Sequence, residues 1–286
     1  MEQDFHKYCN NTNDKYAIIV GNPPYIRYQY FNKEQQLEAE KIFNRNNIKY
    51  SKLMNSWCAF VVGCTNLLKE NWKLGFVLPA ELLQVSHAKL IREFLIKNYE
   101  KISIVSFKKL VFAAIQQDVV LLLCQKGNGI PHIEYIESED DKTLKNIDLY
   151  KLKNPIKNIH NSSKWTNYFL EQKELDFLDE IKNRKDLFKV KDFCFVELEG
   201  RSFGGGALEL MPSEIANIII PYIKTAENLF EEIESVVKNK GDISELLKYT
   251  NKFLLEDNFG FTTQELNLIT NIHEKLLNKR LFRKRN

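Results

Sequence analysis

At 286 residues, with 44% of them hydrophobic, the chain can bury one large core or two modest ones, which excludes a disordered or fibrous polypeptide. Basic residues number 41 against 38 acidic, a formal charge of +3 that permits contact with nucleic acid without arguing for it. The 5 cysteines include no C-x-x-C pair and no signal pattern opens the chain, which argues against a disulfide scaffold or a zinc knuckle and for a reducing cytoplasm.

The first half alternates β-branched runs with helical patterns, as a parallel sheet covered by helices does. Its expected strands are "YAIIV" (16–20), "LGFVLP" (74–79), "ISIVSF" (102–107) and "DVVLLLCQ" (118–125). Between the first two lie a polar segment, 32–52, and the apolar run "WCAFVVGCTNLL" (57–68), too short to span a bilayer and read as a helix buried against the sheet. Leu90, Ile91, Phe94 and Leu95 recur at helical spacing with Lys89, Arg92 and Lys97 outside, which predicts an amphipathic cover helix. "KGNGIP" (126–131) is a turn.

A domain boundary is expected near 135, dividing the chain into 1–135 and 136–286. Lysine- and asparagine-rich sequence (142–164) reads as surface connection. After it, "EQKELDFLDEIKNR" is helical, "FKVKDFCFVEL" is strand-like, and "GRSFGGGALELMPSEI" is a glycine loop leading into a helix. From Glu227 onward the chain reads as helical, with breaks at Gly241 and Asp242 and around 257–260. Five basic residues, Lys279, Arg280, Arg283, Lys284 and Arg285, crowd the tail as a solvated helix end or a phosphate contact. The histidines, His6, His87, His132, His160 and His273, show no metal-ligand spacing.

The stretch with distinctive chemistry is "GNPPY", where strand 16–20 runs into Asn22, Pro23, Pro24 and Tyr25. The exocyclic amine of adenine is a poor nucleophile because its lone pair is delocalised into the ring. Two acceptors that take both N–H protons favour a pyramidal nitrogen, and the Asn22 side-chain carbonyl and the Pro23 main-chain carbonyl can do this. Proline fixes φ and drives the residue before it to extended backbone, so both acceptors are stiffened. Tyr25 offers a flat face for a flipped base, worth roughly 1–3 kcal/mol per stacked base. The alternative is a strand-ending turn with a buried tyrosine. Ligand sites in open α/β sheets lie beyond the carboxyl ends of strands, as this loop does.

The motif "IIVGNPPYIRYQYF" resembles that of gamma-class N6-adenine DNA methyltransferases of restriction–modification systems. Residues 51–95 and "VSFKKLVFAAIQQDVVLLLC" are similar to the segments that follow it there, and "KWTNYFL" and "GGGALELMPSEIANIIIPY" are similar to segments flanking the family's target-recognition region. The resemblance implies an incomplete class I (Rossmann-like) α/β methyltransferase fold followed by a mixed, largely helical part. It implies S-adenosyl-L-methionine as methyl donor and double-stranded DNA as partner. It would assign Asn22 and Pro23 to the amine, Tyr25 and Phe112 to clamping the base, and Asn22 and Pro24 to the edge of the donor site.

The glycine turn and acidic ribose partner that such families place before this loop are not in the sequence given, where 21 residues precede Asn22. Much of the recognition segment is not recognisable either. Three accounts fit: a subunit completed by a protein partner that supplies the donor-binding half, a truncated relic, or a non-catalytic binder of DNA or protein. Glutamine N5 methylation of a protein is a further alternative, since N-P-P-Y occurs there too. Strand 16–20 is apolar throughout, so without a neighbour it would leave an adhesive edge, which predicts a protein partner or poor solubility.

Overall fold

The structure is a computed structural model, described here for residues 4–108, 118–129, 131–146, 164–184, 200–202, 208–210, 227–239 and 243–281. The chain forms two compact units, Met1–Phe169 and Leu170–Phe282.

The first unit is built on a five-stranded sheet of β1 (Tyr16–Gly21), β2 (Leu68–Pro79), β3 (Tyr99–Phe107), β4 (Val119–Lys126) and β5 (His132–Ser138), in the order β1-β2-β4-β3-β5. β1 runs parallel to β2, and β3 to β5, while β4 is antiparallel to both its neighbours. The sheet is therefore mixed, where the sequence pattern led us to expect a parallel one. Residues 108–118 connect β3 to β4, a length near the lower limit of about 10–12 residues for a parallel crossover and ample for the antiparallel return that is observed. β5 was not anticipated at all.

Helices fill the long crossovers. Between β1 and β2 lie α2 (Lys33–Arg45) and α3 (Ser56–Leu67), and between β2 and β3 lie α4 (Glu81–Gln84) and α5 (Lys89–Asn98), with α1 (Phe5–Asn11) preceding the sheet. α3 is the buried helix that its apolar run predicts, with Trp57, Cys58, Val61 and Val62 wholly inside. It lies so close to α1 that a Cβ on Gly63 would stand 2.9 Å from the Cys9 sulfur. Phe5 and Phe60 stack there at 3.9 Å. α2 arose from a segment read only as polar; Asn32 and Gln35 close a capping box, and Ala39, Ile42 and Phe43 face the core.

α5 buries Ile91, Phe94 and Leu95 as expected, but Arg92 is inside rather than outside, at 2% exposure. Its guanidinium donates to the carbonyls of Leu82 (2.7 Å), within the short α4, and of Val85 (3.1 Å), its C-cap residue. The position of the cation was decided by those carbonyls, not by helical periodicity.

β1 is an edge strand. Among the described residues it pairs with β2 alone, and Ile18 and Val20 are 60% and 74% exposed. This is the open apolar edge that the sequence implied.

The second unit contains α6 (Gln172–Asn183), a short pair of β6 (Arg201–Ser202) and β7 (Leu208–Glu209), then α7 (Glu227–Lys238), α8 (Ile243–Asn251) and α9 (Thr263–Leu281). A π-helical turn (Lys252–Asn258) and Gly260, at φ +67°, separate α8 from α9, at the break read from the sequence. The Arg184 guanidinium sits 4.3 Å over the Phe261 ring, and Lys275 pairs with the buried Glu174 at 2.8 Å. The strand-like run 188–198 lies outside the described residues. No described helix is long and apolar enough to cross a membrane.

Candidate active site

β1 ends at Gly21, paired with Phe76 of β2, and the chain leaves the carboxyl end of the sheet as Asn22, Pro23, Pro24 and Tyr25. Asn22 and Pro24 are exposed, Pro23 is buried and Tyr25 is half-buried against the core. The Tyr25 hydroxyl lies within hydrogen-bond distance of the Asn22 Oδ1 (2.9 Å) and of the Val77 main-chain carbonyl on β2 (3.0 Å). Burial raises its pKa to about 12, so the phenol keeps its proton at neutral pH and acts as a donor rather than a base.

A second clamp holds the loop from below. Ser56, buried on the first turn of α3, donates its hydroxyl hydrogen to the Pro24 carbonyl and accepts the Ile26 N–H at 2.9 Å. The Ser56 N–H donates in turn to the Ile26 carbonyl at 2.9 Å. Next to it, the Asn55 amide donates to Glu81 at 3.2 Å, tying the start of α3 to the turn after β2. Prolines carry no N–H, so the loop cannot fix itself by its own ladder and depends on these partners.

The structure thus brings Asn22, Pro23, Pro24 and Tyr25 together on one rigid loop. Phe112 lies outside the described residues. Sequence reading missed Ser56, the Val77 carbonyl and the Asn55–Glu81 tie. An Asn-Ser pair opening an apolar run is a helix-start signal and could have pointed to the first of these. Of the residues after the loop, Tyr28 turns inward and donates to Gln36 at 2.9 Å, whereas Arg27 and Tyr30 are exposed. Among the described residues no cluster of His, Cys, Asp or Glu could hold a metal ion.

Residues 1–112 match the model of the Eco57I restriction-modification methylase, and residues 192–255 match that of the C-terminal domain of the Type II methyltransferase M.Eco57I. The first match contains the whole loop and both clamps. The chain is 29% identical over 144 residues to the Type II methyltransferase M.HincII of Haemophilus influenzae, covering 48% of this chain and 28% of that protein. It is 30% identical over 142 residues to the Type II restriction enzyme and methyltransferase RM.Eco57I of Escherichia coli, covering 49% and 14%. With M.AccI of Acinetobacter calcoaceticus it shares 22% over 180 residues, covering 59% and 33%. The chain spans a third or less of the length of these relatives. The mixed sheet with its helical crossovers is consistent with part of a class I methyltransferase fold, and the chain is similar to the Eco57I restriction-modification methylases over residues 1–112 and to the M.Eco57I C-terminal domain over residues 192–255.

Proposed function

We propose that this chain carries the amine-binding half of an N6-adenine DNA methyltransferase of a restriction–modification system. The observation that carries this reading is the exposed Asn22 carboxamide beside the Pro23 carbonyl on a doubly clamped loop at the carboxyl end of β1. Asn22 Oδ1 and the Pro23 carbonyl accept the two N–H protons of the adenine amine, which localises the nitrogen lone pair. Neither acceptor is a strong base, so their contribution is alignment and polarisation, with the displaced proton passing to solvent. Tyr25 stacks on the base, with Phe112 as the opposing ring.

S-adenosylmethionine, when bound, supplies an electrophilic methyl group. Asn22 and Pro24, both exposed, fit one wall of its site, the edge next to the methyl-bearing end. The described residues form only that wall. The open edge of β1, with Ile18 and Val20 exposed, fits a further strand on that side, and we assign it to a donor-binding half that completes the site as a protein partner. Duplex DNA is the proposed substrate. Arg27 and Tyr30, exposed just after the loop, are the described residues best placed in sequence to meet it.

The reading is tested by Asn22→Ala in the complete, donor-competent enzyme. Methylation should fall below detection while DNA binding is kept, and retained methylation would sink the assignment. Calorimetry of the 286-residue chain alone should show no donor binding; tight binding would mean that the donor wall is fuller than described.

A further inference from the structure

The hydroxyl of Tyr25 stands 2.9 Å from the Asn22 carboxamide oxygen and 3.0 Å from the Val77 carbonyl oxygen. A phenol has one proton, and both neighbours as drawn are acceptors, so only one contact can be a hydrogen bond at a time. The Val77 carbonyl cannot turn, because it belongs to β2, which is paired on both sides, with Val77 opposite Leu121 of β4. The Asn22 carboxamide can. A half-turn about its last side-chain bond exchanges oxygen for nitrogen with almost no movement of heavy atoms. Then Nδ2–H donates to the Tyr25 oxygen, the Tyr25 hydroxyl donates to Val77, and all three groups are matched.

We propose that the Tyr25 hydroxyl is a positioning group that reads the Val77 carbonyl and holds Asn22 with its amide nitrogen inward and its carbonyl oxygen outward. The inference rests on the reading of Asn22 as an acceptor for a base amine, and it adds the specificity. An outward oxygen welcomes an N–H donor and repels the keto oxygen of guanine or thymine, whereas an outward NH₂ would do the reverse. Tyr25 therefore has two duties, stacking by its ring and polarity by its hydroxyl. Burial supports the second, since a phenol held up to about 12 stays protonated across the working pH range.

The test is side-chain amide NMR on the ¹⁵N-labelled full chain, with the Asn22 NH₂ signals assigned by their loss in Asn22→Asp. The wild-type Asn22 NH₂ should exchange with water about tenfold more slowly than an exposed carboxamide and show an Overhauser contact to the Tyr25 ring, and Tyr25→Phe should abolish the slow exchange. Fast exchange in the wild type, or slow exchange that survives Tyr25→Phe, would overturn the proposal. Should Tyr25→Phe lose its fold, the wild-type exchange and the ring contact decide by themselves. This readout does not depend on methylation. Slow exchange with methylation retained in Asn22→Ala would defeat the functional reading and keep the orientation; fast exchange with methylation lost would do the opposite.

Discussion

Ser56, on the first turn of α3, donates its hydroxyl hydrogen to the main-chain carbonyl of Pro24. The same oxygen accepts the Ile26 N–H, so one buried side chain satisfies two backbone groups of a loop whose prolines leave it few of its own. The rigidity of the site is thus a property of the α3–loop contact as much as of the two prolines.

Ser56→Ala should lower stability by about 1–3 kcal/mol, because it removes the two part-buried hydrogen bonds that the hydroxyl makes to the Pro24 carbonyl and the Ile26 N–H, each worth about 0.5–1.5 kcal/mol net. Urea unfolding followed by tryptophan fluorescence measures it. A loss below ~0.5 kcal/mol would show that the clamp contributes nothing net.

Val20→Lys should reduce self-association of the chain without destabilising it. Val20 is 74% exposed on β1, which among the described residues pairs with β2 alone, and a lysine there is charged, solvated and hostile to edge-to-edge pairing. Sedimentation velocity should show the wild type associating with rising concentration and the variant remaining monomeric. A wild type that stays monomeric throughout would remove the case for a partner on this edge.

The Tyr25 phenol should titrate near pH 12 instead of its ordinary 10, with burial as the cause. A pKa raised on folding means that the neutral form is favoured in the folded state. The associated stability is therefore complete below about pH 10, the unfolded value, and is lost as pH climbs from there through 12. Ultraviolet difference titration of wild type against Tyr25→Phe isolates this one phenol. A midpoint near 10 would place Tyr25 in water.

Arg92→Met should cost ~2–3 kcal/mol despite preserving most of the apolar stem, because the carbonyls of Leu82 and Val85 lose a charged donor. Arg92→Lys should recover only part of this, a compact ammonium being unable to reproduce the planar fork. Thermal melting of the two variants orders them, and equal melting temperatures for Met and wild type would refute the capping role.

The sequence by itself determined the elements whose cause is local. β1, α3 and α5 follow from runs and spacings within one segment, and loop 22–25 from two adjacent prolines that restrict their own backbone and that of Asn22. The break at Gly260 is likewise local, a residue at positive φ needing no side chain. Other elements had signals that were weaker than their surroundings. The Asn32–Gln35 capping box was hidden in a charged segment, and β5 in His132–Ser138, where Tyr135 and Ile136 stand side by side and break a clean alternation.

Tertiary structure alone decided the rest, because its causes lie far apart in the chain. The hydroxyl that pins Pro24 comes from 32 residues downstream, and the carbonyl that engages Tyr25 from 52. The antiparallel sense of β4 belongs to its pairing with β2 and β3, and the burial of Arg92 to the Leu82 and Val85 carbonyls that its guanidinium meets. Sequence pattern records which side chains avoid water; which buried polar groups meet is settled only when the chain has closed on itself.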